Sequence, residues 1–106
     1  MELTIVRAGS ELIPDGSIDL VTRQQLIDAG VEVLNDQGAL TLNMKAVDFM
    51  DSVGIGAVIE LGKKAASLGA AFAVVEPSPP VQRVLAVTGL SNAWPAAAPS
   101  APSGDA

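Results

Sequence analysis

The chain has 106 residues, no cysteine and no histidine, and 12 acidic against 6 basic side chains for a net charge of −6. That length suits one domain with one core. The missing side chains exclude disulfides, Cys/His zinc sites and Ser-His or Cys-His nucleophiles, and the acidity makes nucleic acid and anionic membrane poor partners.

Leu3 to Arg7, "LTIVR", alternates and is β-branched, which predicts a strand. Residues 11–13, "ELI", fit a short second strand, and "PDGS" at 14–17 is turn chemistry with its break at Asp15-Gly16. Ser17 or Asp19 can then cap a helix over Leu20 to Leu34, whose apolar residues fall mostly at helical spacing. Gly38 is placed to end it in the left-handed region. "ALTLNM" at 39–44 reads as a strand and "KAVDF" after it as a loop carrying apolar residues. A second helix is predicted from Ser52 to Leu68, stopped by Gly69. The apolar run "AAFAVVE" at 70–76 then reads as a fully buried strand. A third helix follows, with Ser78 as cap, Pro79 and Pro80 in the first turn and Gly89 at the end. "SNAW" at 91–94 fits a last short strand. "PAAAPSAPSGDA" at 95–106 offers nothing large enough to anchor it and is expected to be a disordered tail on a domain spanning 1–94.

Strands alternating with helices imply an α/β fold with a largely parallel sheet, made mixed by the first hairpin-like pair. Aromatics make up 3% of the chain, so Val, Ile, Leu and Ala must fill the core. The start "MELTIVRAGSE" lacks the charged and apolar segments of a signal peptide, and no run of 18 apolar residues exists. A soluble cytoplasmic protein with no membrane insertion is the expectation. The pair Lys63-Lys64 reads as a solvated helix face.

The segment "VDFMDSVGIGAVIELGKKA", Val47 to Ala65, carries the chemistry. Asp51 and Ser52 stand where an extended stretch gives way to a helix, and either can cap it, worth about 1 kcal/mol. Gly54 and Gly56 lie in the first turns, where each costs roughly 0.5–1 kcal/mol relative to Ala. Two explanations are open: close packing of the helix on the sheet, or a bare surface around Ser52 on which a partner docks. The hydroxyl at a helix N-terminus also suits phosphorylation, because that end tolerates the added charge. The flanks of Ser52 do not fit a Gly-x-Ser-x-Gly nucleophile elbow. No paired acids converge at helical spacing, so no enzymatic activity is expected.

"FMDSVGIGAVIEL" closely resembles the signature of STAS-domain anti-sigma factor antagonists, the phosphorylatable partner-switching proteins of bacteria. "DGSIDLVT" at 15–22 and "SPPVQRVLAVTGL" at 78–90 resemble two further segments of the family, in the same order. The resemblance implies a mixed, mostly parallel sheet of four or five strands, with about three main helices packed largely on one side. It implies that the unphosphorylated protein binds an anti-sigma factor that is also a serine kinase, and so frees a sigma factor. Phosphorylation then releases it, and a PP2C-type phosphatase resets the cycle. On this chain Ser52 would be the phosphoacceptor. Asp51 would shape the loop, cap the helix and belong to the partner-binding site, and Asp19, at the same end of the fold, would contribute to the partner surface. Ile55 and Val84 would line the docking face, and Gly54 and Gly56 would permit close approach. The chain itself would carry no cofactor, ATP being bound by the partner kinase. Val53 stands where many members have a second hydroxyl, leaving Ser52 the only one in the loop. Asp19 could equally be a plain helix cap, and Ile55 and Val84 plain core residues. The competing function is an accessory or scaffold subunit of a stress-signalling or lipid-transport complex, since STAS domains also serve there.

Overall fold

The computed structural model describes residues 2–90. Its elements in chain order are β1 (Leu3–Ala8), β2 (Glu11–Ile18), α1 (Arg23–Gln37), β3 (Ala39–Asn43), β4 (Val47–Met50), α2 (Ser52–Ser67), β5 (Ala71–Val75) and α3 (Pro79–Val87). The predicted strand at 91–94 and the tail at 95–106 lie outside the described residues.

β2 is the axis of the sheet. β1 pairs with it antiparallel, from Leu3 opposite Gly16 to Ala8 opposite Glu11. The two-residue turn between them needs Gly9, whose φ is 63°. Along β2, β3 pairs in parallel with Glu11 and Leu12, and β4 pairs in parallel with Gly16 to Ile18. β5 runs parallel to β3 and continues the order β1-β2-β3-β5. The sheet is therefore mixed, and the described residues hold five strands and three helices, as the α/β STAS pattern predicts. Leu12, Ile18, Leu40, Leu42, Leu26, Leu34, Val58 and Leu61 form a continuous buried core between sheet and helices. α1 and α2 meet closely at Gly30, where a Cβ would run into the side chains of Leu61 and Leu40.

Four sequence expectations need correction. Asp15-Gly16 is not a turn; both residues lie inside the eight-residue strand β2. Glycine is needed there because Gly16 takes φ 125° and a Cβ would collide with the Glu2 carbonyl oxygen. Pro14 falls in the gap between the β3 and β4 pairings, a place where a proline is tolerated within a strand. "KAVDF" is not all loop, since its last three residues begin β4. Helix α1 starts at Arg23, not Leu20, and Leu20 and Val21 are exposed. β5 is not fully buried; Val74 alone of its five residues is, because the strand ends the sheet's order.

The glycine terminators stand where the composition put them. Gly38, Gly69 and Gly89 all take positive φ just beyond α1, α2 and α3. Ser78 precedes α3 but makes no capping bond. Its hydroxyl is buried and donates to the Val47 carbonyl at 2.6 Å, mooring α3 to β4.

Candidate functional site at the start of the second long helix

β2 and β4 run in parallel and end side by side, with Ile18 opposite Met50. The chain segments that leave them, starting at Asp19 and Asp51, therefore emerge at one end of the sheet.

Asp51 takes an extended conformation (φ −117°, ψ −170°) and its Oδ1 accepts from the Gly54 N–H at 2.9 Å. Its carbonyl accepts from Ile55 N–H at 3.0 Å. Asp51 is thus the cap, and Ser52 is the first helical residue. The Ser52 side chain is exposed and forms no hydrogen bond among the described residues. The acid caps the helix, and the hydroxyl takes no part in the cap.

The two glycines separate. Gly54 is buried, and a Cβ on it would collide with the Ile18 carbonyl oxygen and press on the Met50 side chain. It is there so that the first turn of α2 can pack on β2, and it presents no surface. Gly56 has open space where a Cβ would be, so nothing in the described fold requires glycine at that position. Ile55 is 4% exposed and belongs to the core, so its side chain lines no docking face.

Asp19 organises the other segment. Its Oδ1 accepts from the N–H groups of Val21 and Thr22, at 2.9 and 3.1 Å. The Thr22 hydroxyl accepts from Asp19 N–H and donates to the Ser17 carbonyl at 2.7 Å. The Thr22 N–H above all, joined by that of Val21, outweighs desolvation and holds the Asp19 carboxyl below the usual aspartate value.

A groove of about 350 Å³ opens beside Ser52, walled by Phe49 and Met50 of β4 and by Pro80, Arg83, Val84 and Val87 of α3. Of the predicted site residues, the structure brings Ser52 and Val84 together in this groove. Asp19 stands near the first turn of α2 but outside the groove lining.

Phe49, 42% exposed, was not singled out in the sequence, and neither were Arg83 and Val87 as surface residues. The reason for Phe49 is a bulge. Gly16 faces Val47 while Ser17 faces Phe49, so Asp48 is an extra residue in β4. Strict alternation from buried Val47 would send Phe49 inward and Met50 outward. The bulge reverses this: Met50 is buried and Phe49 faces the groove. The Ser17 hydroxyl donates to Asp48 Oδ1 at 3.2 Å and fastens the bulge.

The sequence profile of the STAS domain matches residues 5–98, and the chain belongs to that family. Its fold is that of the anti-sigma factor antagonists. An anti-sigma factor antagonist from Mycobacterium paratuberculosis superimposes with a TM-score of 0.71 at 28% identity, over 90% of this chain and 83% of that one. The anti-sigma factor antagonist SpoIIAA in its unphosphorylated form gives 0.67 at 19% identity, over 99% and 88%. The Bacillus cell fate determinant SpoIIAA in its phosphorylated form gives 0.63 at 18%, over 99% and 91%. No curated protein sequence matches the chain. No helix among the described residues is long and apolar enough to cross a membrane.

Proposed function

We propose that this protein is a cytoplasmic anti-sigma factor antagonist switched by phosphorylation of Ser52. The unphosphorylated form binds an anti-sigma factor/serine kinase and so releases a sigma factor. The observation that carries this reading is the free, exposed Ser52 hydroxyl beside an apolar groove, with Asp51 already supplying the cap.

The protein itself is not an enzyme and holds no cofactor. ATP belongs to the partner. Ser52 Oγ attacks the γ-phosphorus, the new O–P bond forms as the β,γ-bridging P–O bond breaks, ADP leaves, and the hydroxyl proton passes to a base of the kinase. A PP2C-type phosphatase adds water, restores the hydroxyl and releases inorganic phosphate. The phosphate brings about −1.5 to −2 charges to a helix N-terminus, which favours anions. The fold therefore survives, and the change is felt by whatever docks. Ser52, Val84 and Phe49 form the docking surface, with Gly56 leaving room for a partner backbone. Asp19 and Asp51 shape the two chain segments that frame this end.

The test is a map of phosphorylation sites on the protein recovered from its own cells, with and without stress. A phosphoryl group on Ser52 whose occupancy changes with conditions is the expected result. Ser52 unmodified throughout, with the protein held in a large stable complex, would overturn the switch and favour an accessory or scaffold subunit. In binding assays with the kinase, Ser52→Glu weakens the complex and Ser52→Ala keeps it while resisting modification.

A further inference from the structure

Arg83 lines the same groove as Ser52 but comes from a different helix, α3. It is exposed, and among the described residues it takes part in no hydrogen bond or ion pair. The other two arginines are both engaged, Arg7 with Asp36 at 2.8 Å and Arg23 with Glu60 at 3.3 Å. The groove lining contains one cation, Arg83, and no carboxylate among the described residues. The acid adjacent to Ser52 in sequence is Asp51, whose carboxylate is committed to the Gly54 N–H. A phosphoryl group on Ser52 would thus meet a repelling neighbour in Asp51, apolar walls in Phe49 and Val84, and one attractive charge.

We infer that Arg83 receives the phosphoryl group of Ser52 in cis, its guanidinium pairing with the phosphate oxygens across the groove. This rests on Ser52 being the phosphoacceptor. Guanidinium presents a planar fork of donors that matches phosphate geometry. The pairing has two effects on a partner. It occupies the one cation of the groove, and it draws the arginine stem across the apolar wall. Phosphorylation closes the groove as well as charging its rim.

The experiment uses the full chain with phosphoserine built in at position 52 during synthesis, so that no kinase is needed. The phosphate is titrated by ³¹P NMR in the parent, in Arg83→Gln and in Arg83→Lys. A neighbouring cation favours the dianion. The second ionisation of the parent therefore falls about 0.5 pH or more below that of Arg83→Gln, from an ordinary value of about 6. Arg83→Lys, which keeps the charge without the fork, falls between them, and added salt narrows the gap. Asp19, Asp48 and Asp51 at that end are common to all three proteins and cancel in the comparison. Parent and Arg83→Gln titrating together would overturn the pairing. Finding Ser52 unmodified in cells would remove the switch but leave this titration untouched, so the two failures are separable.

Discussion

Two chain segments leave one end of the sheet, each opening with an aspartate, one in a turn four residues before α1 and one as the cap of α2, and they use that aspartate differently. At Asp19 the carboxylate takes the N–H groups of Val21 and Thr22, and the Thr22 hydroxyl is itself tied to Asp19 N–H and the Ser17 carbonyl. The Asp19 Oδ1, the Thr22 hydroxyl and the N–H groups of Asp19, Val21 and Thr22 all have partners in the chain. At Asp51 the carboxylate takes the Gly54 N–H and the following hydroxyl, Ser52, is left exposed. The first start is closed on itself and reads as architecture. The second is capped by its aspartate and leaves a hydroxyl exposed to the outside. The same residue type leaves a neighbouring hydroxyl spare at one place and not at the other.

The sharpest way to break this contrast is at the glycines of α2. Gly54→Ala drives a methyl into the Ile18 carbonyl, a backbone group that cannot step aside. It is expected to cost about 3 kcal/mol in urea unfolding. Gly56→Ala meets open space and gains roughly 0.5–1 kcal/mol from helix propensity. Equal effects of the two would mean that α2 does not approach β2 as described.

A smaller effect separates the cap from the hydroxyl. Asp51→Ala should lose about 1 kcal/mol, while Ser52→Ala stays within about 0.5 kcal/mol of the parent in the same melts. If Ser52→Ala cost as much as Asp51→Ala, the hydroxyl would be structural and the contrast with the Thr22 network would vanish.

The smallest effect is a pH dependence at Asp19. Its carboxyl ionises below the ordinary aspartate value of 3.8 when folded. The unfolded chain then binds the proton more readily, so stability rises with pH across this window. The contribution is fully present above about 3.8 and is lost as pH falls through the folded value. Asp19→Asn should flatten the acid limb of a stability-against-pH curve. A limb of unchanged slope would show that the Val21 and Thr22 contacts do not hold the charge.

Much of this architecture was legible locally. The apolar spacing of α2, the prolines opening α3 and the glycines closing all three helices are short-range signals. They state what a few neighbouring residues prefer, and Asp51-Ser52 could be read as a helix start for the same reason. What escaped depended on strand register. Asp15-Gly16 has the composition of a turn, and its place inside β2 follows from contact with Glu2, far from it in sequence. Phe49 reaches the groove through the extra residue Asp48, visible only when β4 is laid against β2. Gly54 and Gly56 look alike in the sequence; only the Ile18 carbonyl distinguishes them. Arg83 belongs to the site because α3 lies along β4, an arrangement that no local pattern specifies.

The Ser78 hydroxyl bond to Val47 has a kinetic consequence. It ties the strand that carries Phe49 to the helix that carries Val84, so the two walls of the groove are joined before any encounter. A partner then meets a finished surface and pays little ordering entropy on landing. Association should proceed in a single phase at the about 10⁵–10⁷ M⁻¹s⁻¹ typical of orientation-limited docking. Changes made at Ser52 should then be read out in how long the complex lasts, more than in how fast it forms.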